Sequence, residues 1–290
     1  MIEAFLQSLQ FEKRSSAHTI ISYKTDLDQF SKYLLLQYEI ALPETAQAPM
    51  LRSWVVSLME EGLNPVSINR KIASLRSFYH FLRKKRQISH DPTKQLSALK
   101  TRKKLPAFVE EKSMEMLFDV VEFTDDFEGC RDKIILELLY GTGIRLSELV
   151  GLEIPDVDIP GKTIRVFGKR AKERMIPISP SLAILLTRYI AQRSPEEDTK
   201  CLILTDKGKA AYPVFIQRTV KKYLSAVTTL SQKSPHVLRH TYATHLLNRG
   251  ADLNAIKELL GHVNLAATQI YTHNSIEKLK KTHQQAHPKA

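Results

Sequence analysis

Apolar residues in the first hundred positions recur every three or four residues, which is the spacing of helices with one buried face. The first stretch runs from a cap at Ser15 or Ser16 to about Gln37, and the second covers roughly Leu51 to Glu60 and ends at Gly62. A third opens at Asn64-Pro65, where asparagine suits a helix cap and proline the first turn. Its apolar stripe is Ile68, Ile72, Leu75, Phe78, Tyr79 and Leu82. The pattern predicts an all-α N-terminal domain over residues 1–99.

The pattern changes after a basic stretch at residues 100–106, Lys-Thr-Arg-Lys-Lys-Leu-Pro, which is typical of an interdomain linker. Residues 132–139 form a buried-looking helix, Gly141-Thr142-Gly143 predicts a turn, and Arg145 starts the next helix. Residues 163–167 and 174–178 read as two short strands of a hairpin. The remainder is mostly helical. We therefore predict a mainly α fold whose second domain, residues 107–290, carries a small antiparallel β-sheet.

Charge narrows the choice of partner. The formal net charge is +12, and residues 1–104 hold 17 Lys and Arg against 9 Asp and Glu. This balance favours nucleic acid as the partner, although a basic protein without such a partner has the same composition. Two distant cysteines indicate reduced thiols. No signal peptide and no apolar run of membrane-spanning length is present, so we expect a cytoplasmic protein without a membrane partner.

Several basic residues fall largely off the apolar stripe of the third helix or lie in the linker. Such an arrangement predicts contacts with a DNA backbone, although a solvated helix face has the same pattern. The candidate DNA-binding residues are Arg70, Lys71, Arg76, Arg83, Lys84, Arg102 and Lys103.

Six residues of the second domain together supply what cleavage of a phosphodiester requires. Arginine matches phosphate oxygens, histidine and lysine transfer protons near neutral pH, and tyrosine can form a covalent intermediate. The six are Arg145, Lys169, His236, Arg239, His262 and Tyr271.

Four of the six also have a simpler interpretation. Arg145 precedes Glu148 by one helical turn and can form an ion pair with it. His236 can merely follow Pro235 at a helix start, Tyr271 can be a packed tyrosine, and Lys169 can be a solvated turn residue, with Lys172 as a competing candidate.

Neither a cofactor nor a metal is predicted. Gly141-Thr142-Gly143 is not followed by the Gly-Lys-Ser/Thr of a phosphate-binding loop. His236, His240 and His245 lack the acidic or thiol residues that usually complete a zinc site.

The phrases that carry these residues resemble the tyrosine recombinase (phage integrase) family. Residues 235–241, Pro-His-Val-Leu-Arg-His-Thr, resemble its second arginine box. Residues 259–262, Leu-Leu-Gly-His, with 268–273, Thr-Gln-Ile-Tyr-Thr-His, resemble its nucleophile box. All six expected positions are filled, and the similarity runs nearly end to end. Within the family the chain resembles the Xer chromosome-dimer resolvases, and the ending at residues 283–290 is more similar to XerD than to XerC.

The resemblance implies a role for each candidate. Tyr271 would form a 3′-phosphotyrosyl bond, and Arg145 and Arg239 would clamp the non-bridging oxygens of the phosphate. His236 would transfer a proton near the nucleophile, and His262 would donate a hydrogen bond to the phosphate. Lys169, which directly follows Gly168, would protonate the leaving 5′ oxygen.

The resemblance also implies partners. The N-terminal domain would be a SAM-like domain that binds the core site on double-stranded DNA. Four protomers would act on two recombination sites, either alone or together with a related second recombinase, and a septal DNA translocase would activate them. The C-terminal region around residues 275–284 would dock onto a neighbouring protomer.

Three alternatives stay open from the sequence. A mobile-element integrase or transposon recombinase would have the same chemistry, a type IB topoisomerase-like enzyme would act as a single protomer, and a DNA-binding relative would have an inactive site. A chain without an additional arm-binding domain before residue 1 fits a Xer-type enzyme better than a lambda-type integrase.

Overall fold

The computed structural model describes residues 1–13, 15–101, 107–168, 173–196, 199–261, 283 and 285–288. The chain divides into two compact units, Met1–Lys104 and Leu105–Ala290.

All the regular secondary structure in the described part of the first unit is helical. Helix α1 (Ile2–Gln7) continues into a π-helical turn at Ser8–Glu12, and α2 (Ala17–Tyr38), α3 (Ala48–Glu60) and α4 (Pro65–Lys84) follow. The side chain of Ser16 accepts a hydrogen bond from the backbone N–H of Thr19 at the start of α2, at 3.3 Å. Asn64 likewise accepts from the N–H of Val66 at 2.9 Å. The predicted helices α2 to α4 are therefore confirmed, with α3 beginning three residues earlier than expected.

Helix α1 was not predicted, yet it contributes to the core of the first unit. Phe5 is fully buried, and its ring lies 5.5 Å from the ring of Phe78 on α4. The predicted apolar stripe of α4 is buried along its whole length, against Phe30 and Trp54. Helix α1 therefore packs against α2 and α4 and completes the hydrophobic core of the three longer helices.

In its described part, the second unit combines helices with a small sheet. Helices α5 (Glu111–Asp119), α6 (Phe127–Thr142) and α7 (Leu146–Val150) come first. Strands β1 (Val157–Asp158), β2 (Thr163–Phe167) and β3 (Glu173–Pro177) form an antiparallel sheet in that order, with Thr163 opposite Pro177 and Phe167 opposite Glu173. Helices α8 (Pro180–Gln192), α9 (Pro213–Val227), α10 (Pro235–Asn248) and α11 (Leu253–Leu260) follow. The mainly α fold with a small antiparallel sheet is confirmed, and β1 is an addition to the predicted hairpin.

Helix α6 is the centre of this unit and packs against α8, α9 and α10. The predicted turn at residues 141–143 is wrong in part, because Gly141 and Thr142 belong to α6 and only Gly143 ends it. Gly143 has φ +62°, and a Cβ atom there would lie 2.5 Å from Cδ1 of Tyr242. The backbone conformation and the neighbouring ring therefore both require glycine, so the sharp change of direction before Arg145 is fixed by packing.

No helix in the described part of the chain is long and apolar enough to cross a membrane.

Candidate active site

Arg145 lies directly before α7, where the chain emerges from the left-handed turn at Gly143. Its backbone N–H donates to Oε2 of Glu148 at 2.8 Å, and its Nη1 donates to Oε1 at 2.6 Å. Its Nη2 donates to the carbonyl oxygen of Gly261 at 3.2 Å. The expected ion pair with Glu148 is present, and the Arg145 side chain is still 28% exposed. The ion pair therefore orients the guanidinium without removing it from solvent.

Arg239 projects from α10 into the same region and is buried. Its Nη1 donates to the carbonyl oxygen of Gly143, and its Nη2 donates to that of Leu260 at 2.6 Å. Burial, followed by the charges of Arg145 and Arg174, lowers the pKa of Arg239 to about 10. Because this value is still well above 7, Arg239 carries its positive charge at neutral pH.

Three arginines meet at the C-terminal end of α11. The carbonyls of Leu259, Leu260 and Gly261 accept hydrogen bonds from Arg174 at 2.9 Å, from Arg239 and from Arg145, respectively. The last carbonyls of a helix have no partner within the helix and carry the negative end of its dipole, so cations are stabilised there. The end of α11 thereby fixes two of the predicted catalytic arginines relative to one another.

Glu148 binds two of these arginines. Its carboxylate is buried and accepts from both terminal nitrogens of Arg174 at 2.8 Å, in addition to the two bonds from Arg145. Burial alone would favour the protonated acid, but the hydrogen bonds and charge of Arg174 and the bonds from Arg145 outweigh it and lower the pKa of Glu148 to about 2. The carboxylate is ionised at neutral pH.

Arg174 was not among the predicted site residues. Arg174 and buried Ile176, two residues later, both face the inward side of β3, and the side chain of Arg174 is only 4% exposed. An arginine at an inward-facing strand position requires a buried partner. That mismatch between residue type and strand periodicity is the signal in the sequence that could have identified it.

His236 is exposed in the first turn of α10, one turn before Arg239 on the same helix. The shared helix agrees with the prediction that one helix presents both residues. His245, by contrast, is buried, and its Nδ1 and Nε2 lie 3.0 Å from the hydroxyl of Tyr140 and the carbonyl oxygen of Val109. Both nitrogens are engaged within the protein, so His245 does not belong to a metal site.

Lys169, His262 and Tyr271 lie outside the described residues. Lys169 belongs to the connection between β2 and β3, and His262 directly follows Gly261 in the chain. The roles of these three residues stay predictions.

Most of the described DNA-contact candidates in the first unit are exposed. Arg76 donates to the carbonyl oxygen of Leu96 at 2.6 Å, and Arg83 is exposed about two turns further along α4. Lys84 lies 4.0 Å from Glu12 and is 71% exposed.

Arg70 and Lys71 both pair with Asp26. Arg70 is nearly half exposed. Lys71 is buried, lies 3.1 Å from Asp26 and also donates to Gln29. The expectation that Lys71 contacts DNA is therefore corrected, because its ammonium group is held inside the bundle. Arg102 and Lys103 lie outside the described residues.

Two further basic residues, which were not predicted, lie close to Arg76 in the first unit. His80 and Lys94 line a shallow cleft together with Arg76, Ser77, Asp91 and Thr93. His80 lies four residues after Arg76 on α4 and three before Arg83, so helical spacing could have placed it on the same face. We define the exposed set Arg76, His80, Arg83 and Lys94 as the α4 basic surface.

The second unit thus contains two charged arginines, fixed by buried partners at one helix end and accompanied by an exposed histidine. Guanidinium groups match phosphate oxygens and the helix end holds both groups in place, so this arrangement is suited to binding a phosphate group.

Comparison with known proteins identifies the protein family. Residues 107–278 match the phage integrase family, and residues 2–86 match its N-terminal SAM-like domain. A tyrosine recombinase XerC of Chlorobaculum tepidum is 37% identical over 314 residues, covering 99% of this chain and 94% of that protein. A tyrosine recombinase XerC of Staphylococcus aureus is 39% identical over 290 residues, covering 99% and 96%. The chain therefore belongs to the tyrosine recombinase (phage integrase) family and is of the Xer type.

Solved structures agree on the fold. XerH bound to palindromic difH has a TM-score of 0.73 at 21% identity, covering 97% of this chain and 82% of that one. The integrase of transposon Tn1549 in complex with circular intermediate DNA has a TM-score of 0.70 at 21% identity, covering 96% and 97%. The relatives named above are XerC proteins, so the expectation of a chain closest to XerD gains no support from them.

Proposed function

We propose that this protein is a site-specific DNA recombinase that cuts and rejoins DNA through a 3′-phosphotyrosyl bond at Tyr271. The observation that carries the proposal is the convergence of Arg145 and Arg239 at the end of α11. That helix end leads directly into His262 and, nine residues later, Tyr271. The sequence therefore attaches the nucleophile segment to the point where the phosphate-binding charges are fixed.

Both arginines retain donors for a substrate. A guanidinium group has five N–H donors, and the bonds described above use two side-chain nitrogens of each arginine. The remaining donors would bind the non-bridging oxygens of the scissile phosphate, where negative charge increases in the transition state. Because the arginines are already held by carbonyls and Glu148, they need little reorganisation when the charge develops.

The other candidates would manage the nucleophile and the leaving group. Tyr271 would attack phosphorus as the bond to the 5′ oxygen breaks, and Lys169 would protonate that oxygen. Exposed His236, one turn from Arg239, would transfer the proton of the nucleophile, and His262 would donate to the phosphate. The phosphotyrosyl bond keeps the phosphodiester linkage, so attack by a 5′ hydroxyl rejoins the strand without ATP.

The first unit would hold the DNA through sequence-independent phosphate contacts. The α4 basic surface is exposed and presents its basic side chains on one helix and the turn beside it. Arg70 and Lys84, and the linker residues Arg102 and Lys103, would extend these contacts.

For the cellular role we propose resolution of chromosome dimers at cell division, in the cytoplasm. The support is the identity of 37–39% to XerC proteins over almost the full length of both chains. Four protomers would assemble on two sites, either alone or with a related second recombinase, and a septal translocase would activate them. An integrase of a mobile element would use the same residues and differ in its DNA target.

Covalent trapping tests the proposed chemistry. The wild type and Tyr271→Phe are incubated with a pool of nicked duplexes that contains the chromosome-dimer site of the host and randomised cores. We expect a denaturation-resistant protein–DNA adduct from the wild type only, and sequencing of the trapped DNA then identifies the target. Tight binding without any adduct would refute the enzymatic role, and trapping only on the ends of a mobile element would replace the chromosomal one.

A further inference from the structure

Arg174 is the arginine of this site that is least accessible to a substrate. Its side chain is 4% exposed, against 28% for Arg145. All three of its guanidinium nitrogens donate to buried groups, namely the two carboxylate oxygens of Glu148 and the carbonyl oxygen of Leu259. These three bonds leave two N–H donors on a side chain that is almost fully buried, so we expect any effect of Arg174 on the reaction to pass through its partners.

The partner that links Arg174 to the phosphate site is Glu148. Oε1 accepts from Nη1 of Arg145 at 2.6 Å and from Nη1 of Arg174 at 2.8 Å. Oε2 accepts from the backbone N–H of Arg145 and from Nη2 of Arg174, both at 2.8 Å. Four donors saturate the roughly four acceptor positions of a carboxylate, which leaves it one orientation. The planar fork of Arg174 therefore determines where the carboxylate presents Oε1 to Arg145.

The bond from Arg174 to the end of α11 supports the other side of the Arg145 guanidinium group. Its Nε holds the carbonyl of Leu259, two residues before Gly261, whose carbonyl accepts from Nη2 of Arg145. A Cβ atom on Gly261 would lie 3.2 Å from Cδ and Nη1 of Arg174, which shows how closely the helix end packs on this side chain. Arg174 thus supports both groups that orient Arg145.

We propose that Arg174 is a positioning residue for strand cleavage: it holds Glu148 and the end of α11 so that Arg145 is aligned with the scissile phosphate. The inference rests on the proposed recombinase function. Arg174 joins β3 to α7 and α11, and a displacement of about 1 Å in a catalytic group can reduce a rate roughly 10²-fold.

Two substitutions of Arg174 and one matched control test the proposal. Arg174→Met removes the donors at similar length, and Arg174→Lys keeps the charge but not the fork. Arg165→Met is the control, because Arg165 lies opposite Met175 in the same sheet and donates to Asp156 at 3.0 Å, away from Glu148. Single-turnover formation of the Tyr271 adduct is measured at saturating nicked duplex, and DNA affinity and urea unfolding are measured alongside.

We expect Arg174→Met to form the adduct roughly 10²-fold more slowly with unchanged DNA affinity, Arg174→Lys to have an intermediate rate, and the control to match the wild type. If Arg174→Met does not fold, Arg174→Lys decides. A rate equal to that of the wild type for a folded Arg174 variant would overturn the inference and leave the recombinase function intact. Absence of a Tyr271-dependent adduct from the wild type would overturn both.

A methylphosphonate at the scissile position separates positioning from a general loss of structure. This group lacks one charged non-bridging oxygen and so depends less on Arg145. We expect the defect of Arg174→Met, relative to the wild type on the same substrate, to shrink there. In an Arg145→Ala background, Arg174→Met should have little further effect, because both changes remove one function. Equal defects on both substrates, or fully additive effects, would show that Arg174 acts on the fold alone.

Discussion

Replacing Glu148 by glutamine removes the charge of the carboxylate that lies between Arg145 and Arg174 while keeping its shape. The wild-type carboxylate is buried and has its pKa lowered from 4.5 to about 2 in the folded protein. A shift of this size corresponds to about 3 kcal/mol of folding free energy at neutral pH. We therefore expect Glu148→Gln to lower the free energy of unfolding by about 3 kcal/mol at pH 7, with the two arginines left without their anion.

The sign of the pH dependence follows from the direction of the shift. Since the folded-state pKa is lowered, the stabilisation is fully present above pH 4.5 and disappears as the pH falls towards 2. The difference between wild type and Glu148→Gln should then decrease from about 3 kcal/mol at pH 7 to about 2 kcal/mol at pH 3.5. The variant should also lose most of its cleavage rate, since glutamine offers Arg145 no negative charge and only one acceptor oxygen in place of two.

Urea unfolding of both proteins between pH 7 and pH 3.5 measures this difference. Glu115→Gln is the control, because Glu115 is exposed on α5 and its replacement should leave the unfolding free energy unchanged. A Glu148→Gln protein as stable as the wild type at pH 7, or a difference that does not change with pH, would refute the argument that the two arginines hold an ionised carboxylate.

Two other predictions concern the turn before Arg145 and the DNA-contact surface. Gly143→Ala should destabilise the protein by about 1–3 kcal/mol more than Gly250→Ala in urea unfolding. Both glycines have positive φ, but only the new Cβ at Gly143 would contact a neighbour, the ring of Tyr242. Equal losses of unfolding free energy would contradict the packing argument. Arg76→Ala should weaken DNA binding and reduce the slope of log K against log salt concentration by about 1, without changing the adduct rate at saturating DNA; an unchanged slope would remove Arg76 from the phosphate contacts.

Local patterns in the sequence were sufficient for the long helices and the hairpin. The cap at Asn64 and the apolar stripe after it predicted α4, and alternation predicted the strands β2 and β3. The short helix α1 was not predicted because its one buried residue, Phe5, packs against rings on other helices, Tyr23 on α2 and Phe78 and Phe81 on α4, and no local pattern shows these contacts. The helical periodicity of α4 could also have shown that Lys71 is buried. It lies three residues after Ile68 and four before Leu75, and so on the buried side of α4.

The residue types of the site were predictable from the sequence, but the groups that hold them in place were not. Arg145, His236 and Arg239 were predicted, and the ion pair of Arg145 with Glu148 was foreseen as an alternative. The carbonyls of Gly143, Leu260 and Gly261 that hold the two arginines were not, because they are backbone atoms brought together from separate helix ends. No local sequence signal marks a carbonyl as an acceptor, so contacts of this kind become visible only in the folded chain.

The same contacts make stability and chemistry inseparable in this site. The charges that would bind the phosphate are held by the carbonyls that end α11, and Glu148, the counter-ion of Arg145, also joins α7 to β3. A substitution here therefore changes both the unfolding free energy and the orientation of a guanidinium group, and loss of activity alone cannot assign a role. Arg239, whose pKa of about 10 keeps it charged at neutral pH, shows what this arrangement achieves. Buried positive charge is tolerated because helix carbonyls accept its hydrogen bonds, and it is thereby oriented before any DNA arrives.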